Sequence, residues 1–262
     1  MEYLKIVRIP TSPQEECFHG IALYGIDAKF FGDQTIETFA QIIEISGVDI
    51  NHLSLEFLES RKTKPVKVKS SKTIRSVLGK YNPSGFSYVV GDSLNLTVPN
   101  DLGGGVSLST EGCFIDISFF GSLAEAHQRA KNLFIDLAYL KPKYGFLSHG
   151  PSELFVGCWN LGIMTNEMTK NEQQRAIDFG NERISQRYLQ DMFYDLHDIN
   201  LTSEGHLRRL IDGIPLADWI NSNGLGDLKE VSGKLFIWSL TQNEIIRARP
   251  ILLKNGAFIV SI

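Results

Sequence analysis

The sequence predicts an α+β fold in which antiparallel, hairpin-connected sheets pack against helices. Apolar residues alternate along residues 106–119 on both sides of a Glu-Gly turn, as in a β-hairpin with one buried face. Directly afterwards, Ser122 and Glu125 have the spacing of a capping box, and apolar residues recur every three or four positions through residues 123–137. A sheet covered on one face by a helix is therefore expected here.

The N-terminal half adds strands and helices on both sides of a lysine-rich stretch. The expected elements are strand 3–9, apolar stretch 20–31, helix 35–45, strand 53–58, edge strand 65–69, short helix 73–78 and strand 86–98. Lysines on an edge strand oppose edge-to-edge aggregation. The glycines 103–105 are interpreted as a flexible turn, because neither a phosphate-binding Lys-Ser/Thr pair nor a helix follows them.

The C-terminal half reads as helices followed by a β-rich tail. The expected elements are strand 154–161, helices 182–197, 203–211 and 215–221, and strands 234–240, 244–253 and 257–262. Pro215 and Gly224 lie where prolines begin helices and glycines end them. Asn255-Gly256 is a hairpin signal between the last two strands. The polar stretch 164–180 marks a boundary between an N-terminal domain, 1–155, and a C-terminal segment, 156–262.

The composition is typical of a soluble globular protein and excludes several classes. Of 262 residues, 43% are hydrophobic and 21% are charged. The N-terminus has no apolar core of a signal peptide, and no apolar run reaches the roughly 20 residues of a membrane span. The three cysteines (Cys17, Cys113 and Cys158) are widely spaced, which favours buried thiols in a reducing compartment. A cytoplasmic location without membrane contact is expected.

Charge is distributed unevenly around a net value of −4. Residues 61–80, the basic segment, contain eight Lys or Arg and no acid, which leaves 18 basic against 30 acidic residues elsewhere. Lys64, Lys67 and Lys69 are candidate partner contacts. A solvated loop or edge strand is the favoured interpretation of the segment. Contact with an acidic protein surface comes next, and nucleic acid is disfavoured because the rest of the chain repels polyanions.

No catalytic, cofactor-binding or metal-binding motif is present, so none of these residue classes is predicted. The six histidines are far apart in the sequence, without His-x-x-x-His or Cys-x-x-Cys spacing, and there is no nucleophile elbow. Asp191 and Asp195 would share a helix face and could hold a hard cation. A solvated acidic helix end is the favoured interpretation of that pair.

Residues 191–198 mix acids with aromatic side chains and form the second candidate interaction surface. Aromatic residues dominate interface hot spots, and acids steer a basic partner. An equally weighted alternative is that the aromatic residues belong to the core. The residues proposed for partner binding here are Asp191, Tyr194, Asp195, His197 and Asp198.

Two stretches resemble bacterial immunity proteins. The segment Leu-Ile-Asp-Gly-Ile-Pro-Leu-Ala-Asp-Trp-Ile at 210–220 resembles immunity proteins of polymorphic-toxin and contact-dependent systems. Residues 103–149, with a Ser-Leu-Ala-Glu-Ala helix start and a Lys-Pro-Lys-Tyr-Gly-Phe exit, are similar to immunity proteins of type VI secretion. The resemblance covers less than a quarter of the chain. It implies a protein without chemistry of its own that binds a cognate toxin domain and occludes its active site.

Three functional hypotheses follow from the sequence. The first is an immunity protein that neutralises a cognate antibacterial toxin by direct binding. The second is an enzyme with a dispersed site, for example a hydrolase that reverses a toxin's modification, with residues 191–198 as its polar centre. The third is a nucleic-acid-binding adaptor that uses the lysines of the basic segment.

Overall fold

The computed structural model describes residues 16–26, 35–46, 52–57, 62–67, 73–81, 85–90, 102–109, 112–150 and 170–259. These residues form α-helices and β-strands in an α+β arrangement, as the sequence predicts. In chain order the elements are β1 (Glu16–Ile26), α1 (Thr35–Ser46), β2 (His52–Phe57), β3 (Lys62–Lys67), α2 (Ile74–Tyr81), β4 (Gly85–Val90), β5 (Leu102–Ser109), β6 (Gly112–Ser122), α3 (Leu123–Asp136), β7 (Tyr144–Gly150), α4 (Lys170–Ser185), β8 (Ile199–Ser203), α5 (Glu204–Arg208), β9 (Leu210–Ile211), β10 (Ile214–Pro215), α6 (Leu216–Asn223), β11 (Asp227–Ser232), β12 (Leu235–Ser239) and α7 (Gln242–Lys254).

Ten strands form one antiparallel sheet in the order β11-β12-β8-β7-β1-β6-β5-β4-β2-β3, and β9 and β10 form a separate small hairpin. The lysine-rich strand β3 lies at one end of the sheet, which confirms the predicted edge strand. Strand β8 pairs with both β7 and β12, so the sheet continues across the boundary placed near residue 155. The two predicted domains therefore share one sheet.

The hairpin and helix that the sequence shows most clearly are confirmed. Val106 lies opposite Ile115 in the β5–β6 pair, and Leu108 lies opposite Cys113. At the start of α3, the Glu125 N–H donates to the Ser122 hydroxyl at 3.4 Å, and the Ser122 N–H donates to the Glu125 carboxylate at 3.0 Å. This capping box satisfies two backbone donors that the first helical turn leaves without partners.

Helices cover both faces of the sheet. Because successive side chains of a strand point to opposite faces, the central strands contribute to a core on each side. On one face, here the α3 side, Ile21 and Leu23 of β1 pack in the core that includes α1, α2 and α3. On the opposite face, the α7 side, Ala22 and Tyr24 pack in an aromatic-rich core that includes α4 to α7. A side chain's position along β1 or β7 therefore decides which of two cores it enters.

The predicted helix 182–197 is wrong. The helix in this region is α4, which ends at Ser185, and Gln186 then adopts a left-handed conformation with φ of 54°. Helix α4 begins inside the stretch 164–180 that the sequence suggested was a boundary. Among its described side chains, those buried are Arg175, Ala176, Phe179 and Glu182, so two of the four are charged and the apolar pattern is weak. The apolar residues that follow Gln186 lie in a segment without an α-helix, and most of them are buried in the core.

The predicted strand 244–253 is also wrong, since these residues belong to helix α7. Thr241, expected to lie in a turn, is the N-cap, and its hydroxyl accepts from the Glu244 N–H at 3.4 Å. Ile245, Ala248 and Leu252 are buried at helical spacing. The stretch is rich in isoleucine and leucine, but the capping box at Thr241 is the local signal that identifies a helix.

Other expectations at the C-terminus and in the glycine run are corrected as well. Gly256 does not make a hairpin turn but follows α7 with φ of +63°, the left-handed conformation common after helices. Phe258 forms only an isolated bridge to Phe193. Glycines 103–105 lie within strand β5, paired with β4 and β6, and not in a turn.

The remaining predictions agree in part. Helices 35–45 and 215–221 and the strands around 53–58, 86–90 and 234–240 are present, whereas helix 203–211 shrinks to the single turn of α5. The short helix predicted at 73–78 continues through Gly79 to Tyr81. Strand β11 was not predicted. Strands 3–9 and 154–161, and the ends of 86–98 and 257–262, lie outside the described residues.

Candidate functional site

The structure buries most of the residues that the sequence assigned to a partner surface. Tyr194, Asp195, His197 and Asp198 are each 3% exposed or less, so a partner cannot reach them in the folded protein. Asp191 alone is partly exposed, and its carboxylate accepts from Arg209 at 2.9 Å. The alternative interpretation, that the aromatic residues of this segment belong to the core, is confirmed for Met192, Phe193 and Tyr194.

The predicted lysine contacts lie in or near the edge strand. Lys64 is exposed on β3, with its ammonium group 4.1 Å from the centre of the Tyr81 ring. Lys67 is the last residue of β3, and Lys69 lies outside the described residues. Partner binding through these lysines stays a prediction.

The carboxylate of Asp195 is held on the α7 side by two arginines. Arg249 donates from Nε at 2.9 Å and from an Nη at 3.2 Å, Arg175 donates to the same carboxylate, and the Leu196 N–H donates at 2.8 Å. Burial alone would raise the pKa of Asp195, but the charges of Arg175 and Arg249 outweigh it and hold the pKa well below its usual range. Both carboxylate oxygens are engaged by cations, which identifies this group as a buried ion-pair network and not a cation site.

A second polar cluster, on the α3 side, brings together three histidines that are far apart in the sequence. His19 of β1 and His149 of β7 are register partners, and their Nδ1 atoms are 2.7 Å apart. His149 Nε2 lies 2.9 and 3.0 Å from the two carboxylate oxygens of Asp198, at the start of β8. His127 of α3 contacts the same carboxylate through Nε2. We call these four residues the His–Asp cluster.

The hydrogen bonds of this cluster determine how many hydrogens it holds. His19 Nε2 lies 2.9 Å from the carbonyl oxygen of Gly121, so this nitrogen must donate. The Gly121–His19, His19–His149 and His149–Asp198 contacts each require one hydrogen, whereas two neutral imidazole rings carry only two. Neutral tautomers of the two rings can therefore satisfy only two of these three contacts.

Burial and charge shift the pKa values of His19 and Asp198 in this cluster. Burial, and then the neighbouring His149, lower the pKa of His19 from 6.5 to about 4. For Asp198, burial would raise the pKa, but His149 and His127 outweigh it and hold the pKa far below its ordinary value. Asp198 is thus a buried carboxylate that stays ionised because histidines surround it.

Cys17 lies at the buried end of the cluster. Its sulfur is 3.9 Å from Nδ1 and 3.8 Å from Nε2 of His19. A sulfur nearly equidistant from both ring nitrogens does not lie along the lone pair of either one. Cys17 is a buried thiol that is not part of a disulfide, as the sequence predicts for this residue. The side chain of Cys113, and Cys158 altogether, lie outside what the structure describes.

Sequence reasoning missed the His–Asp cluster because no two of its members lie within one short motif. The usable signal was weak: His19 and Ile21, like Leu147 and His149, are two positions apart, so each histidine points to the same face as an apolar residue. That pattern predicts two histidines on a buried face. It does not predict that the strands carrying them are adjacent.

Two further histidines are buried on the α7 side. His197 stacks on Phe146, with ring centres 4.4 Å apart, and neither ring nitrogen has a hydrogen-bond partner within the described structure. Burial lowers its pKa to about 4. His206 is fully bonded: its Nε2–H faces the carbonyl oxygens of Tyr188 and Met192, and its Nδ1 accepts from the Ser203 N–H at 3.3 Å.

Comparisons with known proteins locate the fold. The structure matches the type VI secretion system (T6SS) protein PA0821 of Pseudomonas aeruginosa with a TM-score of 0.52 at 11% identity, covering 93% of this chain and 73% of that chain. The resemblance to proteins of type VI secretion is thus confirmed at the level of fold.

A second match is the toxic C-terminal tip of CdiA from P. aeruginosa in complex with its immune protein, at 13% identity, covering 53% of this chain and 89% of that chain. Its TM-score of 0.30 is too low to indicate a shared fold. No family model and no curated protein matches the sequence. Among the described helices, none is both long and apolar enough to cross a membrane.

Proposed function

We propose that this chain is an immunity protein that binds one cognate toxin domain in the cytoplasm and blocks its active site. The observation that carries the proposal is the fold shared with a T6SS protein over 93% of the chain. The resemblance of residues 103–149 to immunity proteins of type VI secretion supports the same system. A toxin partner also agrees with a chain that has no recognisable catalytic or cofactor motif.

The charge of the chain supports a basic partner surface. Outside the basic segment, the chain has 30 acidic and 18 basic residues. Many toxins that act on nucleic acids or nucleotides have basic clefts, and an acidic inhibitor is steered toward such a cleft at an increased association rate. Part of the affinity should therefore decrease when the salt concentration rises.

The small hairpin β9–β10 is the surface that we assign to toxin contact. Leu210 is 59% exposed and Ile214 is 44% exposed, although both are large apolar residues. Asp212 and Gly213 form the two-residue turn with φ of 48° and 85°, and the Asp212 N–H donates to the Asn255 side chain at 3.0 Å. A rigid apolar projection loses little conformational entropy on binding, which favours high affinity. This hairpin lies within the segment that resembles immunity proteins.

The direct test is calorimetric titration with the toxin domain encoded beside this gene, at a low and a high salt concentration. A one-to-one complex of nanomolar affinity or tighter, weakened by salt, is expected. Absence of binding, under conditions where the protein still rescues cells that produce the toxin, would refute occlusion as the mechanism.

Matched variants locate the interface. Leu210→Glu should weaken toxin binding by at least about 10-fold, because an interface core excludes unpaired charge. Ile135→Glu is the control, since Ile135 is 50% exposed on α3, on the other side of the sheet, and should bind as the unaltered protein does. Lys64→Glu tests whether the edge-strand lysine contacts the toxin. Equal affinity of all three variants would show that the toxin uses another surface.

An enzyme with a dispersed site is the second candidate function, and the His–Asp cluster favours it. The cluster is a buried carboxylate with three imidazoles, and the His127 side chain is 31% exposed, which leaves access from solvent. Such a set can move protons or bind a cation. Rescue of poisoned cells that is lost in His127→Ala, while affinity for the toxin stays unchanged, would favour an enzyme. Rescue that persists in this variant would favour the immunity mechanism.

A further inference from the structure

The His–Asp cluster presents three ligand atoms that converge on one point. His127 Nε2, His149 Nε2 and a carboxylate oxygen of Asp198 all lie within 4.8 Å of one another. In a tetrahedral zinc site with bonds of about 2.0–2.1 Å, neighbouring nitrogen and oxygen ligands are about 3.3 Å apart. The 2.9 Å separation of His149 Nε2 and Asp198 Oδ2 is a few tenths of an ångström below this spacing. His127 Nε2 lies closer still to Asp198 Oδ2, so the His127 ring must move away from the carboxylate to admit an ion.

The residues behind these ligands hold them in orientation by hydrogen bonds, as in metal proteins. With an ion at His149 Nε2, the ring's Nδ1–H donates to His19 Nδ1 at 2.7 Å, and His19 donates from Nε2 to the Gly121 carbonyl at 2.9 Å. The Ile199 N–H donates to Asp198 Oδ1 at 3.1 Å. Both bonds of the histidine pair are then made by neutral tautomers. Metal-binding histidines are typically fixed by such a bond from the second ring nitrogen.

We propose that His127, His149 and Asp198 bind one divalent transition-metal ion of the zinc class. Two imidazoles and one carboxylate suit zinc or iron(II), whereas calcium and magnesium require mainly oxygen ligands. The ion links helix α3 to strand β7 and to the start of β8. His127 is the most exposed member, with 31% of its side chain exposed, so it provides the path from solvent. This inference does not depend on the immunity function.

A neighbouring set, Cys17, His19 and His149, is less suited to an ion although its ligand atoms also lie within 4.8 Å of one another. His19 uses Nε2 for the Gly121 carbonyl and Nδ1 for His149. The Cys17 sulfur is not aligned with either nitrogen of His19. All three side chains are buried, so this set also lacks an open route for the ion.

The test is a calorimetric titration of zinc chloride into the full chain after its metals have been stripped by a chelator. One zinc per chain is expected, together with a rise in melting temperature. His127→Ala should weaken zinc binding by at least about 100-fold, since loss of a ligand costs no less than loss of a group that only hydrogen-bonds to a ligand. Gln128→Ala, at the next and exposed position of α3, is the matched control and should bind zinc as the unaltered chain does.

Specific results would contradict the metal site. Zinc binding that is absent in the unaltered chain, or equally tight in His127→Ala, would overturn the proposal. Cobalt(II) gives an independent readout, because a thiolate ligand produces an ultraviolet charge-transfer band. Absence of that band supports the assigned ligands. A band that disappears in Cys17→Ser would instead place the ion at the neighbouring set and overturn the assignment. His127 is partly exposed, so its replacement is expected to leave the fold intact.

Discussion

Acid should destabilise this protein through His206, and the structure gives the magnitude. His206 is fully buried, and each ring nitrogen already has its partner: carbonyl oxygens face Nε2, and the Ser203 N–H faces Nδ1. The Ser203 hydroxyl also lies 2.9 Å from Nδ1, so burial, and not the lack of an acceptor, is what opposes a second proton. Burial lowers the pKa of His206 from 6.5 to about 4, while nearby Asp191 and Arg209 act in opposite directions.

The sign of the effect follows from which state binds the proton. Between about pH 6.5 and pH 4, the unfolded chain protonates this histidine and the folded chain does not, so the free energy of unfolding decreases as the pH falls. The stabilising contribution is fully present above the unfolded pKa and lost as the pH falls through the folded pKa. These two pKa values correspond to a loss of about 2 kcal/mol between about pH 7 and about pH 5.

The assay is urea denaturation of the unaltered chain and of His206→Gln at both pH values. Glutamine retains a donor and an acceptor but does not titrate in this range. His197 is also buried, and its pKa is lowered to about 4. It lowers the free energy of unfolding on acidification by the same amount in both proteins, so its contribution cancels in the comparison. The variant should lose about 2 kcal/mol less than the unaltered chain on acidification. An equal loss in both proteins would refute the reasoning.

Three further substitutions test the packing and the caps. Asp195→Asn leaves its two buried arginine partners facing a neutral amide and should lower the free energy of unfolding by about 3–5 kcal/mol, measured by urea denaturation. Gly145→Ala would place a Cβ 2.6 Å from the Ala22 carbonyl oxygen and should cost about 1–3 kcal/mol in the same assay. Its control is Gly79→Ala in α2, where a Cβ meets no atom within 4 Å and should instead stabilise by about 0.5–1 kcal/mol. Thr241→Ala removes the cap of α7 and should cost about 1 kcal/mol, whereas an unchanged melting temperature would show that packing alone holds this helix.

The sequence was sufficient where the interactions that stabilise an element lie within a few residues of each other. The β5–β6 hairpin follows from alternation, α3 begins at the Ser122 capping box, and α6 ends at Gly224 in the left-handed conformation. Helix α7 carries a capping box of the same kind at Thr241, although its residues were predicted as a strand. That error concerns the interpretation of a local pattern, since the information is in the sequence.

The burial of residues 191–198 could not be predicted in this way. Asp195 is buried because Arg175 and Arg249, 20 positions before it and 54 after it in the chain, neutralise its charge. Without those partners, an acidic stretch with aromatic residues is equally typical of a surface. The predicted contact residues followed from composition, whereas their location depends on ion pairs formed only in the folded chain.

The sequence by itself therefore determined the fold class, the central hairpin and its helix, the lysine-guarded edge strand and the resemblance to immunity proteins. Only the tertiary structure decided which strands are neighbours, and with them the candidate site. His19 and His149 are 130 positions apart and meet because β1 and β7 pair in one register, while α3 and β8 bring His127 and Asp198 to the same point. Strand pairing between distant segments depends on the packing of the whole chain, and local residue patterns carry almost no record of it.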